Sequence, residues 1–175
     1  MNYTIEAESE KDFPEIYNLI KVAFATSEDA DGDEHDYVDN LRKSPNYIPD
    51  LAFTIKVDSK IIGHIMLTKT YIIRENETLE ALLLSPLCVQ LEYRNQGVGG
   101  KLIEQSLNAA KEKGFKAVFL VGEPKYYSRF GFMPISNFGI EDTGDIPIQY
   151  KLAIELQNGF LANHGGKVSI YWMIY

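Results

Sequence analysis

Apolar positions recur along this chain in two rhythms, and the switches between them lay out its elements. Phe13, Ile16, Tyr17, Ile20, Ala23 and Phe24 stand three or four residues apart, so they share one face of a helix. Asp12-Phe13-Pro14-Glu15 predicts its start, with Asp12 capping and Glu15 reaching back. A short strand is predicted ahead of it, over Tyr3 to Ala7. A second helix is predicted from Asp33 to Leu41, with Glu34, Tyr37, Val38 and Leu41 on one face. The rhythm then shortens. β-rich runs at Leu51–Val57 and Ile61–Ile73 flank Asp58-Ser59-Lys60, a hairpin signal. A second polar turn, Arg74 to Thr78, leads to a third run that ends at Val89. Three strands in succession with no helix between them predict an antiparallel meander.

The helical period returns at Val98, Leu102, Ile103, Leu107 and Ala110, closed by Lys111, Lys113 and Gly114. Phe115 to Val121 is nearly all apolar, as a buried parallel strand is. Pro124 predicts the start of a further helix and Gly131 its end, with a strand at Phe132. Near the end, Tyr150, Leu152, Ile154 and Leu156 alternate with Lys151, Ala153 and Glu155, a half-buried strand. Asn158-Gly159 marks a turn, and Val168 to Tyr175 is predicted as the final strand.

The chemistry concentrates between Leu82 and Lys113. An apolar strand runs into Arg94-Asn95-Gln96-Gly97-Val98-Gly99-Gly100-Lys101 and then into the helix. Strand, glycine turn and helix in that order make an anion cradle, because first-turn amides point outward and the helix dipole favours negative charge there. A P-loop would need glycine at Asn95 and Ser or Thr at Leu102. A dinucleotide fingerprint would need glycine at Leu102. Both fail. Pro86, which has no N–H to donate, marks a bulge or the end of pairing inside its strand.

Composition narrows the class. The chain has 175 residues, 45% hydrophobic and 24% charged, enough for one domain spanning 1–175 with a proper core. A formal net charge of −8 argues against a nucleic-acid surface, so a polyanion has to be held by local amides and by cations such as Arg94, Lys101 and Lys125. No apolar run has the length of a membrane span, and the first residues do not form a signal peptide. The single cysteine, Cys88, fits a reducing compartment, and the expected location is cytoplasmic. The acidic stretch Glu28 to Glu34 resembles a calcium loop. Aligned on Gly32, it puts Ser27 and Val38 at key ligand positions, so no metal is expected.

The pattern Arg94-x-x-Gly97-x-Gly99 resembles the GNAT superfamily of acetyl-CoA-dependent N-acetyltransferases, whose signature is Gln or Arg, two residues, Gly, one residue, then Gly or Ala. The strand Leu84-Ser85-Pro86-Leu87-Cys88-Val89 and the helix Pro124-Lys125-Tyr126-Tyr127-Ser128-Arg129-Phe130-Gly131-Phe132 are similar to those of a bacterial subfamily of small predicted acetyltransferases. The resemblance implies an α/β (α+β) fold in a single domain. It is a mixed sheet, an antiparallel meander with splayed parallel central strands, flanked by helices. It also implies acetyl-CoA as co-substrate and an amine-bearing small molecule or peptide as acceptor. Leu87, Cys88 and Val89 would pair with the pantetheine arm, and Arg94, Asn95, Gln96, Gly97, Val98, Gly99, Gly100 and Lys101 would surround the pyrophosphate. Tyr127, four residues before Gly131-Phe132, would protonate the leaving thiolate. Glu34, His64 or a water chain would take the amine's proton. A lone strand histidine such as His64 is otherwise structural, and Cys88 reads as a small buried residue. Small enzymes of this type are often homodimers. A catalytically silent acyl-CoA-binding sensor on the same fold is the rival.

Overall fold

The computed structural model describes residues 2–25, 32–142, 144–162 and 165–169. Strand β1 (Thr4–Ala7) leads into helix α1 (Phe13–Phe24), followed by α2 (Glu34–Lys43). Strands β2 (Tyr47–Val57), β3 (Lys60–Ile73) and β4 (Thr78–Val89) come next. Helix α3 (Val98–Glu112), strand β5 (Ala117–Val121) and the short α4 (Pro124–Tyr127) follow. The chain then forms β6 (Met133–Pro134), β7 (Ile140–Asp142), β8 (Lys151–Glu155) and β9 (Gly166–Val168).

The strands hydrogen-bond in the order β1-β2-β3-β4-β5-β8-β6, with β9 joined to β3 and β7 to β9. β1 lies antiparallel to β2, Ile5 opposite Ile55. β5 runs parallel to β4, with Leu82 opposite Val118 and Leu83 opposite Phe119, and α3 is the crossover a parallel pair requires. β8 returns antiparallel to β5. The sheet is therefore mixed, with the predicted β2-β3-β4 meander inside it. Asp58 and Ser59 carry φ of 48° and 68°, which makes a two-residue primed turn whose twist suits a hairpin. The path ends at β1, four residues long with Glu6 exposed, and at β6, two residues long and closed by Pro134.

Packing divides into two compact units. The first takes the residues up to Leu67 together with Ser85–Ser106. The second takes Thr68–Leu84 and the described residues from Leu107 on. In the first, Ile16, Leu19, Ile20 and Ala23 of α1 and Val38 and Leu41 of α2 bury against Ala52, Ile61, Met66 and Cys88. In the second, Phe119 and Ala153 pack with Leu83, Ile135, Phe138 and Phe160.

Two expectations change. Asp12 does not cap α1. Pro14 removes one of the amides a cap would accept, and Asp12 Oδ2 instead takes Ser9 N at 3.0 Å and Ser9 Oγ at 2.7 Å, closing a turn over Glu10–Asp12. Glu15 accepts from Ile61 N at 2.9 Å on β3. The acidic stretch from Glu28 to Asp31 and most of the predicted last strand lie outside the described residues; β9 pairs at Gly166–Val168.

Candidate active site

The glycine turn has the conformation that its sequence demands. Asn95 and Gly97 sit at φ of 61° and 81°, the left-handed region that asparagine and glycine tolerate best. The helical ladder of α3 opens with Lys101 N on Gly97 O at 3.1 Å. The amides of Val98, Gly99 and Gly100 lie ahead of that first bond, where helix geometry leaves them without an intrahelical acceptor. Residues 94–97 are exposed and Val98 and Gly99 are buried. An open turn backed by a helix N-terminus fits a pyrophosphate on backbone donors.

The side chains around this turn are engaged with protein. Arg94 donates from Nη2 to Ala23 O at 2.8 Å and from Nε to Val89 O at 3.3 Å, bracing the end of α1 to the end of β4. Gln96 Nε2 donates to Glu92 O at 2.7 Å. Lys101 Nζ donates to Tyr3 Oη at 3.0 Å and lies 4.6 Å from the ring centroid. That hydrogen bond raises the lysine's pKa, so the ammonium remains a cation beside the turn.

The end of β4 supplies a second feature. Gln90 N donates to Ile62 O at 2.9 Å, so Gln90 turns its backbone groups toward β3. Strand alternation then turns those of Val89 and Leu87 the other way. Cys88 O instead lies against Gly63 of β3, 3.2 Å from where a Cβ would stand. The Cys88 side chain is buried, and burial pushes its thiol up to about 12, the pKa of an inert core residue. The Ser85–Pro86 peptide is cis, and the β4–β5 register at Leu82 and Leu83 precedes it.

Tyr127 closes α4. Glu123 caps this helix by accepting from Lys125 N at 3.3 Å. The Tyr127 ring meets Tyr126 edge-on at 4.9 Å and Phe132 at 5.8 Å. The residue is half-buried, and the packing around its phenol is dense enough to raise the pKa, with Tyr126 adding to the shift.

His64 and Glu34 stand in different surroundings. His64 is fully enclosed, with Nε2 2.7 Å from Glu8 Oε2. Burial would raise the Glu8 carboxyl, but Arg42 and His64 hold it at about 2. Burial also lowers the pKa of His64, so the ring is neutral, donates through Nε2 and leaves Nδ1 without a partner. Glu34, buried at the start of α2, accepts from Gly32 N at 3.2 Å. Among the described residues, no three His, Cys, Asp or Glu side chains are grouped to hold a metal, and no helix is long and apolar enough to cross a membrane.

Three features escape the sequence patterns. Glu8 gathers Arg42, His64 and Tyr47 from three elements. His35, on α2, is buried edge-on against Tyr17 at 4.6 Å. Lys151 is buried against Asp142 and donates to Gly144 O at 2.7 Å. In none of them does spacing along the chain reveal the partner.

The profile of the acetyltransferase (GNAT) domain matches residues 4–135. An uncharacterised N-acetyltransferase of Escherichia coli K12, YjhQ, is 28% identical over 158 residues, which cover 90% of this chain and 84% of the relative. A second from the same strain, YhbS, is 33% identical over 75 residues, 43% of this chain and 44% of the relative. The crystal structure of E. coli YhbS in complex with CoA superposes with a TM-score of 0.87 at 24% identity, covering 98% of this chain and 91% of that one. A Brucella melitensis GNAT acetyltransferase in complex with acetyl-CoA gives 0.79 at 23%, covering 97% and 96%. At these identities the superpositions show the fold.

Proposed function

Because the chain belongs to the GNAT acetyltransferase family, we propose that it transfers the acetyl group of acetyl-CoA directly to a primary amine on a small molecule or peptide. The carrying observation is the start of α3, where left-handed Asn95 and Gly97 precede amides that lie ahead of the first helical bond. In this reading the amides from Gln96 to Gly100 hold the pyrophosphate, and Lys101 adds a nearby positive charge. Arg94 acts as a brace, since its guanidinium is occupied by Ala23 O and Val89 O. The backbone groups of Leu87 and Val89, turned away from β3, pair with the pantetheine arm. The N–H of Val89 then supports the oxyanion that forms when the amine attacks the thioester carbonyl.

As the C–S bond breaks, the thiolate needs a proton. Tyr127 is suited to give it. Its raised pKa keeps the phenol protonated across the physiological range, so it acts as acid rather than base. Burial makes the phenol a weaker acid, and the same apolar surroundings would raise the basicity of a thiolate formed beside it. The amine's proton goes to Glu34 or to water, because the Nε2 of His64 is committed to Glu8 inside the core. A chain of net charge −8 suits a cationic acceptor, and a single buried cysteine suits a one-domain bacterial enzyme of the cytoplasm.

Calorimetry with acetyl-CoA, with ATP and NAD as controls, tests the cradle: selective acetyl-CoA binding is expected, and its absence would overturn the reading. A panel of primary amines scored by thiol release then tests turnover. Tyr127→Phe is expected to lower kcat about 100-fold or more. Binding with no turnover on any amine would favour the silent acyl-CoA sensor.

A further inference from the structure

Gly122 follows β5 at the corner where the chain turns into α4. Its φ lies outside the left-handed region, so its backbone would accept an L-residue. Space is what requires glycine. A Cβ there would lie 2.3 Å from Tyr127 Cε2 and 2.9 Å from Cδ2, well inside the ~3.5–4.0 Å at which carbon atoms rest. The Tyr127 ring lies directly against the bare α-carbon.

The backbone beneath it is held. Gly122 N donates to Tyr150 O at 2.9 Å, and the preceding residue, Val121, stands opposite Lys151 in the β5–β8 ladder. Lys151 is itself locked, its ammonium buried against Asp142 and donating to Gly144 O, while Gly144 N donates to Asp142 Oδ2 at 3.2 Å. Its aromatic neighbours are Tyr126 and Phe132, both edge-on to the Tyr127 ring. Tyr127 therefore occupies a slot whose floor is glycine and whose floor is anchored by a buried ion pair. A Cβ at 122 would also lie 3.2 Å from Leu120 Cδ1, but the closest approach is to the ring, and a strand held on its partner yields less readily than a side chain turns.

We propose that Gly122 is a positioning residue for the Tyr127 phenol, setting the direction from which that hydroxyl meets the leaving group. The catalytic half of this proposal rests on the reading of Tyr127 as proton donor. The positional half rests on the contact alone.

The test uses the full chain carrying 3-fluorotyrosine, with the Tyr127 ¹⁹F resonance assigned by its loss in Tyr127→Phe. Gly122→Ala is expected to shift that resonance strongly and leave those of tyrosines remote from the slot in place. With the amine that gives the fastest thiol release, kcat should fall roughly 10–100-fold, the scale of an ångström-sized misplacement, while KM for acetyl-CoA stays within about twofold. The double variant Gly122→Ala/Tyr127→Phe should be no slower than Tyr127→Phe alone, because both act through one hydroxyl.

An unmoved Tyr127 resonance overturns the proposal, as does a Gly122→Ala loss that multiplies with that of Tyr127→Phe. A Tyr127→Phe protein as fast as wild type overturns the catalytic half and the proton-donor reading together, while the resonance shift still decides the positional half. If Gly122→Ala unfolds too readily to assay, Gly122→Ala/Tyr127→Leu is the second variant. The shorter side chain vacates the slot and should recover thermal stability, and failure to recover refutes the contact.

Discussion

Replacing Glu8 with alanine should destabilise the protein by about 3–5 kcal/mol at pH 7. Its side chain is fully buried and accepts four hydrogen bonds. Oε1 takes Arg42 Nε at 2.9 Å and Tyr47 Oη at 2.7 Å; Oε2 takes Arg42 Nη2 at 2.9 Å and His64 Nε2 at 2.7 Å. Removing it leaves a phenol and an imidazole without this acceptor, and a buried guanidinium with only Asp39, at 2.7 Å, in its place. The pKa gives an independent scale. A carboxyl moved from 4.5 to about 2, at ~1.4 kcal/mol per unit, corresponds to about 3 kcal/mol.

The sign of the pH dependence follows. Glu8's folded pKa is depressed, so its contribution is present above 4.5 and is lost as pH falls from there toward 2. His64 is also depressed, from 6.5. Below that value the unfolded chain takes up a proton that the folded chain refuses, so stability begins to fall there. Urea denaturation followed by far-ultraviolet circular dichroism between pH 3 and 8 reads both limbs. Glu8→Gln should flatten the limb below 4.5 and keep the His64 limb. Glu8→Leu with Arg42→Met should recover part of the loss, because it removes the guanidinium's need for an acceptor while Tyr47 and His64 still lack theirs. A Glu8→Ala loss under 1 kcal/mol, or an unchanged acid limb in Glu8→Gln, would refute the argument.

Gly97→Ala meets no atom within 4 Å but must hold φ at 81°, so it should cost ~1–2 kcal/mol and weaken acetyl-CoA in calorimetry; Gly97→Asn should be milder on both counts. Cys88, with its thiol pushed up to about 12, should resist iodoacetamide at pH 8 until urea opens the fold, and rapid labelling of the native protein would contradict its burial. Arg94→Met should lower urea stability by roughly 1 kcal/mol through the lost bonds to Ala23 O and Val89 O. A salt-dependent loss of acetyl-CoA affinity at unchanged stability would instead place Arg94 on phosphate.

Local chemistry made parts of this structure legible. The α1 stripe, the Asp58-Ser59 hairpin and the Asn95–Gly97 turn each follow from residues within a few positions of one another. The predicted Asp12 cap fails for a reason equally local, the missing amide of Pro14, which leaves Asp12 to Ser9 and Glu15 to Ile61. The Glu8 cluster was beyond reach because its partners lie 34, 39 and 56 residues away, with no periodicity to link them. Strands such as β6 and β7, two and three residues long, have no room to display a period. His64 shows the same limit: sequence marks a titratable strand residue, and only the fold shows it enclosed and bonded to Glu8.

The two ends of the sheet carry a consequence for the protein in concentrated solution. An open sheet edge is a template on which another chain can add a strand and begin a fibril. Here one edge is a single short strand bearing an exposed carboxylate, and the other is two residues closed by a proline that has no amide to offer. Neither provides the run of free donors and acceptors that a growing ladder needs. At these two ends, contact with another copy has to be built from side-chain surfaces, because the backbone there gives an added strand little to extend.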